Sequence, residues 1–445
     1  MKTILLLGAG LSSSSLIRYF LQHAEANDWF LRVCDKDMTM VRKKLGNHPN
    51  ATALSFNALS SSQRKPEIEM ADLVISMLPA RFHIEVANDC IALKTNLITP
   101  SYISPEMKAL DRQARHAGII IMNEIGVDPG IDHMSASKIL DHLKLSKARI
   151  HSFKSFCGGL IAPESDSNPW NYKFTWNPRN VVIAGQGSAA AFIEENQYKY
   201  IPYGQLFKRL EQIEIEGFGS FEGYANRNSL AYRPIYGLDS IPTIYRGTLR
   251  RPGFAKAWNV FVQLGMTDDS YQMERSELLT PRHFLNAFLP FCIGETVEHK
   301  FERLISKEDS VIFDKFHWLG MFDDNHPIGI ANASPAQLLE KILTEKWELK
   351  LNDKDMLVMY HEFEYFLNGQ RFKTSSSMVN VGENQIYTSM SNTVGLPVAI
   401  CAKMILSQEI NLKGVQLPVV KEIYDPILKE LEQYGISFVE KTVAI

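Results

Sequence analysis

Through its first third the chain alternates short apolar runs with amphipathic stretches. Residues 3–7 are nearly all apolar, the pattern of a strand buried on both faces of a parallel sheet. The run leads into Gly8-Ala9-Gly10-Leu11-Ser12-Ser13, and the stretch to about residue 25 places Leu16, Ile17, Phe20 and Leu21 on one helical face. Residues 30–34 predict a second strand, Met40, Val41 and Leu45 a helix, and residues 51–56 a third strand. Three more strands are predicted over 72–78, 95–99 and 119–122, with helices over 82–92 and 105–116. Such alternation implies right-handed crossovers and an α/β fold, a Rossmann doubly wound parallel sheet.

The pattern then changes. Residues 131–140 read as a helix and 150–156 alternate like a strand. Between about 266 and 349 the periodicity is helical, over 281–288, 297–305 and 335–347, with 309–325 as a polar-aromatic connection. Strand-like patterning returns over 355–367 and 386–389, and helices follow over 393–406 and 423–434. This predicts a dinucleotide domain over 1–129 and an α+β substrate domain over 130–394, with a small helical insertion at about 266–349.

Composition narrows the class. The chain has 445 residues, 45% hydrophobic and 22% charged, with a net charge of -3. That is globular, and without the basic face a nucleic-acid reader shows. Lys2 before an apolar run imitates a signal peptide, but the run breaks at Gly8 into a glycine turn. No apolar segment reaches the ~18 residues of a membrane span. The five cysteines are scattered, which suits reduced thiols in a cytoplasmic protein. No His-x-x-x-His, Cys-x-x-Cys or carboxylate cluster suggests a metal.

The glycine turn gives the first chemistry. Gly8 permits a tight turn, Gly10 a close approach of backbone to a pyrophosphate, and Ser13 stands where a third glycine packs helix on strand. Amides at the helix start then hold phosphates. Asp35 ends the second strand, where an acid binds the ribose hydroxyls and disfavours a 2′-phosphate. NAD is thereby favoured over NADP, softened by Lys36 and Lys43; the bland alternative makes Asp35 a helix cap. Residues 76–80 and 99–102 follow strands four and five, at the nicotinamide end. Asp128-Pro129-Gly130 serves as an N-cap with Pro at the first helical position, as a polar-ligand site, or both. Cys157 is read as ending a strand before a two-glycine turn, and an inert thiol is favoured over a catalytic one. Residues 217–254 carry Arg227, Arg233, Arg246, Arg250 and Arg251, candidate carboxylate clamps since a guanidinium grips a carboxylate bidentately. The rival reading is structural ion pairs. His133 reads as a core or capping histidine.

From Ser101 onward the sequence resembles the glutamate-forming saccharopine dehydrogenases. The likeness is carried by Ser101-Tyr102-Ile103-Ser104-Pro105, by Met122-Asn123-Glu124-Ile125-Gly126-Val127-Asp128-Pro129-Gly130-Ile131-Asp132-His133, and by Ser155-Phe156-Cys157-Gly158-Gly159. It continues in Tyr172-Lys173-Phe174-Thr175-Trp176, Tyr245-Arg246-Gly247-Thr248-Leu249-Arg250 and Thr393-Val394-Gly395-Leu396-Pro397. The resemblance implies oxidation of saccharopine's secondary amine with NAD or NADP, giving L-glutamate and 2-aminoadipate 6-semialdehyde. It implies cofactor contacts at Gly8, Gly10, Leu11, Ser12, Ser13, Asp35, Lys36, Asn57, Ile75, Asn123, Glu124, Gly126 and Asn177. Substrate contacts are implied at Ser101, Tyr102, Asp128, Arg227, Thr248, Leu249 and Arg250, with Asp128 and Cys157 near the reacting centre. It further implies that about 395–445 completes the first domain, that the second is also a dimerisation domain, and that a homodimer acts on a small amino-acid substrate, with neither nucleic acid nor membrane. Asp35 stands where fungal members have Arg, and Ile161 and Trp170 replace the family's usual residues. A carboxynorspermidine-type or other opine imine reductase, and a non-catalytic nicotinamide-binding scaffold, are the rival readings.

Overall fold

The computed structural model describes residues 1–305 and 309–445. Two compact units divide the chain: Met1–Ile150 with Ile235–Gly237 and Met359–Ile445, and His151–Pro234 with Leu238–Val358. The first unit therefore runs past the sequence boundary at 129.

In the first unit β1 (Lys2–Leu7), β2 (Trp29–Cys34), β3 (Ala51–Leu54), β4 (Leu73–Ser76), β5 (Asn96–Ile98) and β6 (Ile120–Met122) form a parallel sheet with Gly414–Gln416. The order is Gly414–Gln416, β6, β5, β4, β1, β2, β3. Ile4 to Leu7 are fully buried, as a central parallel strand requires. The order reverses between β1 and β4, and such a switch point leaves a crevice beyond the strand ends.

Helices α1 (Ser14–His23), α2 (Met38–Leu45), α3 (Ser61–Glu69) and α4 (His83–Leu93) fill the crossovers. The sequence pattern missed α3, a polar segment whose buried residues are Arg64 and Ile68. Arg64 holds it by a buried ion pair to Asp89 of α4, at 2.5 Å. The helix expected over 105–116 is two, α5 (Pro105–Ala109) and α6 (Asp111–Ala117). The helix Ser389–Leu406 is long and apolar enough for a membrane span by composition, yet 83% of it is buried in the protein. It packs on α1, where a Cβ at Gly395 would lie 2.9 Å from the Leu16 nitrogen, and Ser15 Oγ meets Asn392 Oδ1 at 2.6 Å. The C-terminal segment thus completes this unit.

The strand expected over 386–389 does not form; Gln370–Val381 is the strand, following Asp355–Leu367. Asn368 and Gly369 between them both have positive φ, the signature of a two-residue hairpin turn. Val439–Ala444 then pairs antiparallel to Gln370–Val381.

In the second unit β7 (Arg149–Ile161), β8 (Ala190–Glu194), β9 (Gln197–Ile201), β10 (Glu211–Ile215), β11 (Gly219–Ala225) and β12 (Thr243–Arg250) form a mixed sheet. Its order runs β10, β11, β12, β7, with β8 paired to β12 and β9 to β8. Cys157 does not end β7, and the glycines after it form no turn. Gly158 continues the strand because a Cβ there would lie 2.5 Å from the Leu249 oxygen of β12. The helical insertion holds Pro281–Asn286, Val297–Leu304, Ser310–Trp318 and Pro335–Trp347. The third of these replaces the expected connection: Ile312, Lys315 and Phe316 share its buried face, and the charged Lys315 had obscured the period. Trp170 joins the insertion to the unit's core, stacked on Phe261 and donating from Nε1 to the Lys315 oxygen at 3.0 Å.

At the strand ends His83 ties β4 to β5. Its Nδ1 meets Ser76 Oγ at 2.9 Å, and its Nε2 lies 2.9 Å from Thr99 Oγ1 and 2.8 Å from Ser101 Oγ. Burial pushes the His83 pKa down to about 4.

Two outcomes test these packing arguments. Gly158→Ala should destabilise the chain by roughly 1–3 kcal/mol through overpacking, read from its urea midpoint; an unchanged midpoint contradicts the close approach. His83 contributes stability that is complete above the ordinary histidine pKa near 6.5 and is lost as pH falls toward 4, since the unfolded chain takes up the proton first. The stability advantage of wild type over His83→Gln should shrink by roughly 2 kcal/mol between pH 7 and 4.5; a pH-independent difference contradicts it.

Candidate functional site

At the switch point Gly8 has φ +97°, and a Cβ on it would lie 2.9 Å from the Met77 oxygen. Its N–H donates to the Cys34 oxygen at 2.8 Å. A Cβ on Gly10, by contrast, would meet nothing within 4 Å; that open face is what a pyrophosphate needs. Ser13 is buried and its Oγ donates to the Gly10 oxygen at 2.8 Å, closing the turn ahead of α1. Ser12 lies within the turn, and Leu11 is exposed at its tip. These residues fit a dinucleotide phosphate.

Asp35 Oδ2 accepts the Ala9 N–H at 2.7 Å and Oδ1 the Asp37 N–H at 3.0 Å. The capping role falls to Asp37, whose Oδ1 accepts the Met40 N–H at 3.0 Å. Lys36 and Lys43 are exposed. Lys44, which the sequence did not single out, turns its ammonium onto the Ala9 and Gly10 oxygens, 2.7 Å from each. Asn57 is exposed after β3 and accepts the Leu59 N–H at 3.0 Å. Ile75 is fully buried in β4, its side chain given to the core.

A second group gathers Ser101, Tyr102, Glu124 and Asp128. The Tyr102 hydroxyl donates to Asp128 Oδ1 at 2.7 Å. Glu124, at φ +55°, accepts the Ile103 N–H on Oε1 at 2.8 Å and meets His133 Nε2 at 2.6 Å with Oε2. His133 Nδ1 meets the Tyr236 hydroxyl at 2.9 Å. Glu124 so fastens the Tyr102 segment to the Asp128 segment; His133, the core histidine that the sequence suggested, and Tyr236, which the sequence did not single out, hold Glu124. Asn123 is buried and donates to the Ile121 oxygen at 3.1 Å. Gly126 is required where a Cβ would lie 3.0 Å from Pro100 Cβ. The N-cap expected of Asp128 is not found. Helix α7 (Ile131–Leu145) begins after Gly130, and Asp132 accepts the Gly130 N–H at 2.6 Å.

The second unit brings Cys157, Thr248, Leu249 and Arg250 together. Cys157 faces Thr248 in register across the parallel pair β7 and β12. Leu249 is fully buried and Arg250 is 7% exposed. The Arg250 guanidinium lies 4.8 Å from the Tyr172 ring centre and 5.4 Å from that of Phe254. Nη1 donates to the Leu249 oxygen at 2.8 Å, and Nε is buried without a partner. The Tyr172 hydroxyl is likewise buried and unpartnered. Nearby Glu222 spends both oxygens on the Gly253 and Ala255 N–H groups, and burial raises its pKa.

Other arginines have structural roles: Arg246 stacks on Tyr232, and Arg251 stacks on Phe221 while donating to the Phe218 oxygen. Arg227 takes φ +48° and its oxygen accepts the Ala191 N–H at 2.9 Å. Asn177 belongs to this unit, where its side chain caps the helix Pro178–Val182. Among the described residues no cluster of three or more His, Cys, Asp or Glu suits a metal.

Two family models cover this geometry: a "Saccharopine dehydrogenase NADP binding domain" over residues 4–122 and a "Saccharopine dehydrogenase C-terminal domain" over 126–436. The chain is 34% identical to saccharopine dehydrogenase [NADP(+), L-glutamate-forming] of Saccharomyces cerevisiae, over 100% of both chains. It is 32% identical to the like-named protein of Pyricularia oryzae, over 100% of this chain and 99% of that one. The structure of the apo yeast saccharopine dehydrogenase (L-Glu forming) superposes with a TM-score of 0.90, at 32% identity and full coverage of both. Homospermidine synthase from Legionella pneumophila shares the fold alone, with a TM-score of 0.54 at 10% identity over 99% of this chain and 91% of that one. These names favour NADP over the NAD expected from Asp35; in this site Asp35 is engaged by two backbone N–H groups and Lys44 adds a cation beside it. The fold, the phosphate turn and full-length matches at this identity agree: the chain belongs to the saccharopine dehydrogenase family.

Proposed function

We propose that the chain oxidises the secondary amine of saccharopine with NADP, releasing L-glutamate and 2-aminoadipate 6-semialdehyde. Arg250 carries the reading. It is a buried guanidinium with no carboxylate in ion-pair distance among the described residues and with Nε unpartnered. Burying such a charge unpaired is costly, and a carboxylate-rich substrate supplies the missing partner through a bidentate pair. The names of the full-length relatives supply the identity of that substrate.

A bound oxidised nicotinamide supplies the hydride acceptor. The chain's own groups do the rest. Arg250 and Arg227 grip substrate carboxylates, while Thr248 and Ser101 add polar contacts. Asp128 takes the proton that leaves the amine as its adjacent carbon loses hydride and a C=N bond forms. Tyr102, donating to Asp128, fixes that carboxylate and passes protons as water adds to the imine carbon and the C–N bond breaks. Such general acid–base work contributes about 10²- to 10⁴-fold. Cys157, beside Thr248, is a polar contact, since the step needs no covalent nucleophile.

Saccharopine should reduce NADP⁺ in an absorbance assay, and silence from folded, nicotinamide-binding protein would exclude the substrate. Arg250→Met should raise the KM for saccharopine about 10- to 100-fold, the worth of a hydrogen bond to a charged group. Because it removes an unpaired buried charge, it should not lower Tm. A lower Tm with unchanged KM would make Arg250 structural.

A further inference from the structure

Lys44 occupies a place that the reaction above does not use. It lies in the last turn of α2, where a lysine ordinarily extends into water. Here the ammonium folds back onto the apex of the phosphate turn, 2.7 Å from both the Ala9 and Gly10 oxygens and 3.5 Å from Ser13 Oγ. Burial pushes its pKa down to about 8, against the opposing pull of Asp35. A half-buried cation held by two backbone oxygens and a long contact to a hydroxyl, with one acid acting on it, is poised for a stronger anionic partner.

That acid marks the ribose position. Asp35 follows β2 and grips the Ala9 N–H, while Lys44 grips the Ala9 and Gly10 oxygens, so the carboxylate and the ammonium meet at Ala9 of the turn. An acid there, alone, receives ribose hydroxyls and repels a 2′-phosphate. A cation at the same turn offsets the repulsion. Lys36 and Lys43, which the sequence offered for this purpose, are exposed, and among the described residues neither has a hydrogen bond that fixes it toward the turn.

We propose that Lys44 is the residue that lets this site hold a 2′-phosphorylated dinucleotide in the presence of Asp35. The proposal rests on the NADP reading above. When the phosphate enters, the ammonium exchanges a backbone oxygen for a phosphate oxygen; the four-carbon stem permits the small swing this needs.

Titration calorimetry on the full chain at pH 7 tests it, with NADPH, NADH, adenosine 2′,5′-diphosphate and ADP as probes. Lys44→Met should weaken NADPH and adenosine 2′,5′-diphosphate about 10- to 100-fold, the loss of one charge-assisted hydrogen bond. NADH and ADP should change by less than about 2-fold, and Lys44→Arg should recover most of the loss. Equal weakening of both dinucleotides would overturn the proposal and make Lys44 a brace of the turn. No weakening of either would overturn it too. If wild type binds NADH and not NADPH, the NADP reading itself fails. If wild type prefers NADPH and Lys44→Met keeps that preference, the Lys44 assignment fails alone.

Discussion

The backbone contact at Gly8 is the constraint on which the first unit is arranged. Its N–H reaches the end of β2 while its α-carbon is pressed to the Met77 oxygen after β4, with no room for a Cβ. Three strand ends therefore meet at one residue, and the crevice at the switch point opens there. Gly10, two residues on, faces open space. The contrast between a crowded glycine and an open one turns a strand end into a phosphate site. The helix Ser389–Leu406 closes against the same turn, since Gly395 lies 3.0 Å, in Cβ terms, from the Ser12 oxygen. A C-terminal glycine is thus needed for an N-terminal turn.

Buried charge is handled in two ways, and the second unit uses both: Lys173 is paired with Asp353 there, whereas Arg250 has no acid partner among the described residues. In the first unit Arg64 pairs with Asp89, Glu124 with His133, and His83 sits among three hydroxyls. In the second, Arg250 stays buried over aromatic rings with Nε unpaired. Pairing makes the first unit a rigid frame for Tyr102 and Asp128. Leaving one cation unpaired keeps a binding site ready at a cost in stability, and the proposed substrate specificity follows from it.

Much of this was legible in the sequence, for physical reasons. Buried parallel strands are continuous apolar runs, so β1 to β6 could be read within a residue or two. The glycine turn and Asp35 followed from the same register. What stayed hidden depended on partners remote in sequence. Helix α3 is polar because a buried ion pair, not an apolar stripe, holds it. Ser310–Trp318 was masked by a buried lysine, and Gly158 looked like a turn because the reason for it is the neighbouring strand. Gln370–Val381 was a readable miss, since Asn368-Gly369 is a hairpin signal. At the site, Tyr102, Asp128 and Arg250 were found by resemblance. Lys44, His83 and Tyr236 were not, because lysines, histidines and tyrosines carry no sign of what they touch.

The reaction is defined by which side of the secondary amine is oxidised. Mass spectrometry of the products formed from saccharopine and NADP⁺ decides it most directly. L-glutamate and 2-aminoadipate 6-semialdehyde are expected in equal amounts. Lysine with 2-oxoglutarate would contradict this, because the same cofactor would then have oxidised the carbon on the other side of the nitrogen.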